Sequence, residues 1–286
     1  MARELQGQVA IVTGAGRGFG RAIALRFAAE GAAVALTSRS RAELDAVAGQ
    51  IEAQGGRALA VPGDVTRPEA VARVTSAAER ELGAVSLLVS NAGVPGPFGP
   101  LWSVDPEAWW AAQQVHIRAP FLYLQRVMPA MIERRAGRII IVSAIASRLV
   151  AAYLSAYCVG KIAQTRITAE VAAETRELGI SIFAIDPGFV FTGIAEETMN
   201  DPAAQKWLPF MVERLKAASR QSGSDGDLAR CAQRCVDLAS GRYDGLSGRY
   251  MELADDLDAM LAGARPHWQT AGPPPQPSPE NATTRR

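Results

Sequence analysis

The sequence contains few of the side chains that build disulfides or metal sites. Among its 286 residues there are three cysteines and two histidines. An odd and low cysteine number argues against a disulfide framework. Cys231 and Cys235 are spaced to share one face of a helix, but a zinc site needs about four ligands, and only His116 and His267 could join them. We interpret the cysteines as small helix residues and predict no metal site.

The sequence also lacks a long apolar run and an excess of charge of one sign. No uncharged apolar stretch reaches the ~18 residues of a membrane span. Residues 1–7 carry Arg3 and Glu4, where a secretion signal would need an apolar core. With 30 basic and 29 acidic side chains, the chain offers nothing that attracts nucleic acid or an anionic membrane. These features predict a cytoplasmic protein with neither nucleic acid nor membrane as partner.

What the chain does contain is a regular alternation of short apolar runs and helix-like segments. Several runs are apolar at every position, as strands covered on both faces require. This alternation predicts an α/β fold, a single-domain Rossmann fold with a doubly wound parallel sheet of about seven strands. Pro120 predicts a bend in the longest helix. The predicted strands are residues 9–12, 33–37, 58–61, 85–89, 138–142, 180–185 and 249–253, and the predicted helices are residues 21–30, 40–54, 69–82, 106–134 and 155–178.

One domain, residues 1–255, accounts for this alternation without an internal repeat. Residues 256–286 form a C-terminal extension, whose composition changes beyond about residue 264 to proline and polar side chains. Such a segment has too little apolar surface to compensate for the entropy of ordering. We therefore predict that the extension is disordered from about residue 264.

A glycine-rich run, Thr-Gly-Ala-Gly-Arg-Gly-Phe-Gly, occupies residues 13–20 between the first strand and the first helix. Glycine lets the backbone turn tightly and approach a pyrophosphate closely. The helix N-terminus then presents free N–H groups and the positive end of its dipole to the phosphates. A glycine-rich loop alone is a weak signal, but in this strand–helix context it indicates dinucleotide binding. The predicted contacts are Gly14, Arg17, Gly18, Phe19 and Gly20.

The spacing of these glycines resembles that of the short-chain dehydrogenase/reductase family rather than the common Gly-x-Gly-x-x-Gly. Four further motifs resemble those of the family and follow in its order, so that the resemblance covers roughly residues 5–255. It implies that the first of the four contacts adenine and that the last lies beside nicotinamide. The motif residues are Asp64 and Val65; Asn91, Ala92 and Gly93; Tyr157 and Lys161; and Pro187, Gly188, Val190 and Thr192.

The end of the second strand carries no carboxylate. NAD enzymes place an Asp or Glu there to hold the ribose hydroxyls, whereas this strand is followed by Ser38 and Arg39, and the next carboxylate is Glu43. A carboxylate would repel the 2′-phosphate of NADP, an arginine attracts it, and Arg17 offers a second charge. The arginines could also be solvated surface charges, but a similar basic pair in the family's NADP-preferring members favours NADP(H) over NAD(H).

Tyr157 and Lys161 lie four positions apart on a predicted helix and therefore share a face. An ammonium group near a phenol favours the phenolate and lowers its pKa. The resemblance implies that Tyr157 donates a proton to a substrate carbonyl as hydride arrives from NADPH, or accepts one in the reverse direction. It implies that Lys161 lowers the Tyr157 pKa and holds the nicotinamide ribose.

Two positions depart from the family pattern. The family has a serine where this chain has Ala144; Ser143 precedes it, but a shift of one residue in a strand turns a side chain to the opposite face, and Ser147 is a second candidate. The family also has an asparagine, associated with a water path to the lysine, where this chain has His116. A histidine can donate and accept a proton in such a relay, or it can be a buried structural residue, and both interpretations stay open.

These residues predict an oxidoreductase that interconverts a carbonyl and a secondary alcohol with NADP(H). The candidate catalytic residues are Tyr157, Lys161, Ser143 and His116. Ala144 and His116 leave two alternatives open: an isomerase, dehydratase or cyclase on the same fold, or a protein that senses NADP(H) without turnover.

The stretch around residues 193–222 is apolar, with Trp207 and Phe210 among its side chains. In the family it forms a lid over the substrate, so the resemblance implies a small hydrophobic substrate, although the same side chains could simply pack the lid. The loop at residues 94–100 predicts a second wall of the substrate site. Family members associate through their long helices, which implies a homodimer or homotetramer.

Overall fold

The computed structural model describes residues 3–220 and 225–264. The sequence predicts a tail that is disordered from about residue 264; residues 265–286, including His267, lie outside the described residues. Inside these ranges no helix is both long and apolar enough to span a bilayer. In the same part of the chain, no three His, Cys, Asp or Glu side chains are grouped as a metal ion would need.

The strands of the described chain form one parallel sheet, which confirms the predicted fold class. Its seven strands follow the order β3-β2-β1-β4-β5-β6-β7 in the described ranges. They are β1 (Val9–Thr13), β2 (Ala33–Thr37), β3 (Arg57–Ala60), β4 (Leu87–Ser90), β5 (Gly137–Val142), β6 (Ile180–Ile185) and β7 (Tyr250–Met251).

Helices cover both faces of the sheet. Because successive side chains of a strand point to opposite faces, Ala10 and Val12 of β1 enter one core with Phe27, while Val9 and Ile11 enter a second core on the other face. The first core lies under α1, α2 and α10, and the second under α3, α5 and α6. The α-helices are α1 (Gly18–Ala29), α2 (Arg41–Ala53), α3 (Pro68–Glu81), α4 (Pro106–Gln113), α5 (Ala119–Glu133), α6 (Ser155–Glu174), α7 (Gly193–Asn200), α8 (Pro202–Trp207), α9 (Pro209–Ser219), α10 (Asp225–Ala239) and α11 (Leu257–Ala262).

The strand order reverses at β1, and this reversal positions the site. β2 pairs with β1 on one side and β4 pairs with it on the other, with Thr13 aligned to Thr37 and Val12 to Val89. The chain leaves the carboxyl ends of β1 and β4 in opposite directions, and such a point opens a crevice where ligands bind in α/β sheets.

The prediction of a single long helix over residues 106–134 is wrong in one respect. It is interrupted by a π-helical turn, Gln114–Arg118, that separates α4 from α5. Pro120 has no N–H to donate to the carbonyl of His116 four residues earlier, and the N–H of Ala119 instead bonds the carbonyl of Gln114. The bend predicted at the proline is therefore a local widening of the helix in the turn before it.

Other differences are smaller. The first helix begins at Gly18 rather than at residue 21, so it starts inside the glycine-rich run. The last strand is limited to Tyr250–Met251. The predicted lid, which the sequence left without assigned elements, consists of three helices up to Ser219.

Candidate active site

A cavity of about 640 Å³ opens at the crevice beside β1 and β4. Its volume falls in the range of cofactor and small-molecule sites. Twelve of the predicted cofactor contacts line it: Gly14, Arg17, Gly18, Phe19, Ser38, Arg39, Asp64, Val65, Asn91, Ala92, Gly93 and Thr192. Sequence reasoning assigned no cofactor contact to the further lining residues Gly16, Ser40, Glu43, Gly63, Thr66, Arg67, Val94, Ala111, Gln114, Val115, Gly193 and Ile194.

The glycine-rich turn has the shape that a pyrophosphate needs. Gly14 and Gly18 have φ of +65° and +56°, which side chains other than glycine rarely adopt. A Cβ at Gly14 would lie 2.8 Å from Nδ2 of Asn91, and one at Gly20 would collide with the carbonyl of Gly14. Gly20 does not line the cavity. Its lack of a side chain lets α1 approach the turn. No side chain caps the N-terminus of α1, so its first N–H groups are available to an anion.

Asn91 holds the turn in place. Its Nδ2 donates to the carbonyl of Thr13 at 2.9 Å, and its backbone N–H donates to the Thr13 hydroxyl at 2.9 Å. The backbone N–H of Ala92 donates to the same hydroxyl at 3.1 Å. Asn91 thus braces the ends of β1 and β4 against each other at the wall of the cavity.

Charged side chains of both signs surround the end of the cavity next to β2. Arg17 donates from Nη2 to Oε1 of Glu197 on the lid helix α7, at 2.8 Å, and both side chains are about half exposed. Glu43 packs against Gly16, where its Oε2 lies 2.6 Å from the position of an added Cβ. A sequence signal for Glu43 exists: Ser40 caps α2 through the N–H of Glu43, and this Ser-x-x-Glu pattern directs the acidic side chain back towards the helix N-terminus.

Asp64 is the acidic side chain predicted to contact adenine. Its Oδ1 accepts hydrogen bonds from the N–H of Thr66 at 2.9 Å and from the Thr66 hydroxyl at 2.7 Å. Burial raises the pKa of Asp64, but the Thr66 bonds and the positive charges of Arg39 and Arg67 outweigh it, so the net pKa is lowered. Asp64 is therefore ionised at neutral pH.

Tyr157 and Lys161 lie on the same face of α6, as predicted. Nζ of Lys161 is 5.5 Å from the centre of the Tyr157 ring. Lys161 is buried, and its Nζ donates to the carbonyl of Val142 at 2.8 Å and to Oε1 of Gln164 at 3.2 Å. Burial lowers the pKa of Lys161 to about 7, against the opposing effect of Asp186.

The expected lowering of the Tyr157 pKa is wrong in this structure. Burial, the negative charge of Asp186 and the Cys158 thiol all raise that pKa. Lys161 does not counter them, because with a pKa of about 7 it has lost most of its charge well before a phenol titrates.

Ser143 is not brought to the cavity. Its hydroxyl donates to the carbonyl of Lys161 at 3.1 Å, lies 3.3 Å from the hydroxyl of Thr165 and is buried against the backbone of α6. This is the face opposite to that of Ala144, as the alternation of side chains along an extended chain requires. Ser147, the other candidate, is buried, and its hydroxyl faces that of Tyr250.

His116 lies beside the catalytic pair. Its ring meets that of Tyr157 edge to face, with 5.5 Å between the centroids, and its Nε2 is 2.9 Å from the carbonyl of Val94. Burial and the charge of Lys161 lower the pKa of His116 to about 3, although the bond to Val94 acts in the opposite direction. The ring is therefore neutral at physiological pH, with Nε2 as the donor and Nδ1 buried without a partner in the described chain.

The segment after β6 only partly reaches the cavity. Thr192 lines it and its methyl group lies 3.2 Å from the position of an added Cβ at Gly18. Pro187, Gly188 and Val190 do not line it; Gly188 packs against Asp227 of α10, whose carboxylate also accepts the N–H of Phe189 at 3.2 Å.

The lid helices pack on the loop at residues 94–100. Phe98 is buried with Ala204 and Val212 in a small apolar cluster separate from the two main cores. Trp207 stacks near Tyr153 with 5.0 Å between the rings, and Phe210 remains exposed. Packing of the lid thus uses several of the apolar side chains that predicted a hydrophobic substrate.

Comparison with known proteins identifies the family. The family model of the short chain dehydrogenases matches residues 8–203. A short chain dehydrogenase of Pseudocercospora fijiensis is 34% identical over 91% of this chain and 84% of its own length. A metagenomic short-chain oxidoreductase, solved in complex with NADP, is 38% identical, with a TM-score of 0.62 over 65% of this chain and 85% of that chain.

A solved structure of lower sequence identity shares the fold. Levodione reductase superimposes with a TM-score of 0.77 over 87% of this chain and 96% of its own, at 24% identity. At that identity the match supports the fold alone, while the family model and the relative from Pseudocercospora fijiensis support the family. The chain belongs to the short-chain dehydrogenase/reductase family of oxidoreductases.

Proposed function

We propose that the protein is an NADP(H)-dependent oxidoreductase that interconverts a carbonyl and a secondary alcohol on a small hydrophobic substrate. The observation that carries the proposal is the pair Tyr157 and Lys161, which lies behind the wall of the phosphate-binding cavity. His116 connects the two regions, because its ring touches Tyr157 and its Nε2 bonds the carbonyl of Val94 in that wall.

NADPH, when bound, supplies the hydride that adds to the carbonyl carbon. Tyr157 donates its phenol proton to the carbonyl oxygen, which completes the alcohol. Since its pKa is raised, Tyr157 is fully protonated at neutral pH and stands ready as a donor. Lys161, with a pKa of about 7, is the stronger acid and returns a proton to the phenolate. Both features supply the proton that reduction consumes near neutral pH.

The charges at the cavity support NADP(H) over NAD(H). Arg17 and Arg39 both line the cavity, and arginine binds phosphate through charge-assisted hydrogen bonds. A relative that is 38% identical was solved in complex with NADP. Glu43, which also lines the cavity, opposes this attraction, so the preference depends on whether the arginines outweigh its carboxylate.

The substrate proposal depends on the lid. Helices α7 to α9 present apolar side chains next to the loop at residues 94–100, and such a wall binds by apolar contact. Ala144 supplies no hydroxyl to the substrate oxygen, and we propose Ser147, whose buried hydroxyl also faces that of Tyr250, as the second donor.

A screen of NADPH oxidation at 340 nm against ketones, quinones and cyclic diketones tests the function directly. Tyr157→Phe removes the proton donor, and we expect it to lower the turnover number at least a hundredfold while NADPH affinity changes little. Tyr243→Phe is the matched control, because it removes a tyrosine hydroxyl that bonds Asp258 away from the site. Full activity in Tyr157→Phe would refute the proposed mechanism.

Ala144 favours a second candidate, in which the chain retains the cofactor but not the redox step. The candidates are an isomerase, dehydratase or cyclase, or an NADP(H) sensor. Ala144→Ser restores a hydroxyl where the family has one. In a weakened reductase it should raise carbonyl reduction about tenfold, which corresponds to one hydrogen bond of ~1.4 kcal/mol in the transition state, and in a sensor it should leave turnover at zero.

A further inference from the structure

Gln164 connects two functional elements with one buried side chain. It lies on α6, three residues after Lys161, with 1% of its surface exposed. Its Nε2 donates to the carbonyl of His116 at 2.9 Å, and its Oε1 accepts from Nζ of Lys161 at 3.2 Å. Both ends of the amide are therefore engaged, one by the π-helical turn and one by the ammonium group of Lys161.

The carbonyl of His116 is available to Gln164 for a reason that the sequence shows. In a regular helix the N–H of residue 120 would bond this carbonyl, but Pro120 has no N–H. A buried carbonyl without a partner is costly, and the amide of Gln164 supplies the missing donor from a neighbouring helix. The π-helical turn, a feature enriched at functional sites, thus leaves this carbonyl open to a donor from outside its own helix, and Gln164 is that donor.

Gln164 can join Lys161 to the His116 carbonyl because α6 lies very close to the π-helical turn. A Cβ at Gly160 would lie 2.6 Å from the Cβ of His116, so a larger residue there would force α6 away from the turn. Gly160 lies four positions before Gln164 and hence on the same face of α6. The short distance at Gly160 brings Gln164 within reach of the His116 carbonyl.

The ammonium group of Lys161 depends on few acceptors. Its direct partners among the described residues are the carbonyl of Val142 and Oε1 of Gln164. The titratable groups that face it are Asp186 at the end of β6, the neutral ring of His116 and the ring of Tyr157. Asp186 acts on Lys161 through its charge, while the hydrogen bonds of Nζ in the described ranges go to these two neutral acceptors. Each neutral acceptor therefore carries much of the stabilisation of the ammonium form.

We infer that Gln164 is a positioning residue that fixes the ammonium group of Lys161 by tying it to the carbonyl released at His116. The inference rests on the role of Lys161 in the proposed function. An apolar side chain of the same length would fill the same space but would neither accept from Nζ nor donate to the carbonyl. This difference separates a positioning role from simple packing.

The lysine content of the chain allows a direct test. Lys161, Lys206 and Lys216 are its only lysines, so NMR of the full-length protein with isotope-labelled lysine gives three side-chain signals, which Lys206→Arg and Lys216→Arg assign. In Gln164→Met we expect the pKa of Lys161 to fall by about one unit, a tenfold change in its protonation equilibrium. In Gln164→Glu we expect it to rise, because a carboxylate beside Nζ favours the ammonium form.

The matched control is Thr168→Val, one turn further along α6, where the buried hydroxyl bonds the carbonyl of Gln164 and does not touch Lys161. It should leave the Lys161 titration unchanged. Lys161 titrations in Gln164→Met and Gln164→Glu that coincide with that of the unchanged protein would overturn the inference. If Gln164→Glu does not fold, Gln164→Met against Thr168→Val still decides the question. The titration is measured without substrate or cofactor, so its outcome is independent of whether the chain reduces a carbonyl.

Discussion

The carboxylate of Glu43 lines the same cavity as the guanidinium groups of Arg17 and Arg39. Glu43 lies against Gly16 and near Ser38, and Arg17 and Arg39 line the same cavity. Glu43→Gln removes a negative charge that would face a 2′-phosphate, and we expect it to tighten NADPH binding several-fold, with little change for NADH. Arg39→Ala should weaken NADPH binding about tenfold or more, since hydrogen bonds to charged groups contribute ~1.5–3 kcal/mol.

Tryptophan fluorescence titration with each cofactor measures both effects. Arg57→Ala is the control, because Arg57 is an exposed arginine whose guanidinium bonds the carbonyl of Glu81 outside the cavity. An Arg39→Ala variant that loses NADPH and NADH affinity equally would show that Arg39 does not read the 2′-phosphate.

The raised pKa of Tyr157 predicts different pH dependences for the two directions of the reaction. Reduction uses the protonated phenol, which is present at every pH below its raised pKa, so protonation of Tyr157 should not limit reduction between pH 6 and 9. Oxidation uses the phenolate, whose fraction below that pKa rises tenfold per pH unit. Initial rates in both directions test this, and an oxidation rate that is already maximal at pH 7 would contradict it.

At the scale of the elements, the sequence predicted the sheet better than the helix that borders the site. Short apolar runs such as residues 180–185 are typical of parallel strands that are buried on both faces, and they predicted the strands of the sheet. The π-helical turn was not predicted, because its cause combines Pro120 in one helix with Gln164 in another. Glu43 was recognised only as the next carboxylate, although its capping pattern points towards the cavity. Ser143 was a candidate on spacing alone, and its orientation depends on where β5 ends.

The contact between Arg17 and Glu197 links the glycine-rich turn to the lid helix α7. Because Arg17 is also a candidate partner of the 2′-phosphate, the lid carboxylate competes for it. Glu197→Gln should therefore tighten NADPH binding, by at most about fivefold, since exposed ion pairs contribute up to ~1 kcal/mol. Glu196→Gln, the neighbouring change, is the control, and an effect that persists in high salt would argue against an electrostatic origin.

At the scale of the whole molecule, the outer faces of α4, α5 and α6 leave large apolar side chains in solvent. Trp110 is 58% exposed, Phe121 52% and Ile162 55%. Such side chains on long helices support the proposed homodimer or homotetramer. Phe121→Glu combined with Ile162→Glu should give a monomer in light scattering. Phe210→Glu on the lid, a more exposed position, should leave the assembly as it is, and an assembly that survives the double change would place the interface elsewhere.

Burial of His116 also sets how the stability of the molecule depends on pH. Its pKa falls from 6.5 to about 3 on folding, so the unfolded chain binds the proton more readily, and stability is lost as the pH falls from about 6.5 towards 3. Near pH 5 this one group destabilises the fold by roughly 2 kcal/mol relative to pH 7.

His116→Asn removes the group, and we expect its free energy of unfolding to fall less between pH 7 and 5 than that of the unchanged protein. Denaturant titrations at the two pH values measure the difference, in which carboxyl groups common to both proteins cancel. Lys161 changes the free energy of unfolding with pH in the same direction, but at higher pH. Its pKa falls from 10.5 to about 7 on folding, so stability should rise as the pH increases through that interval. If the free energy of unfolding fell equally in both proteins between pH 7 and 5, His116 would be protonated inside the fold. Nδ1 would then donate a hydrogen bond to a partner.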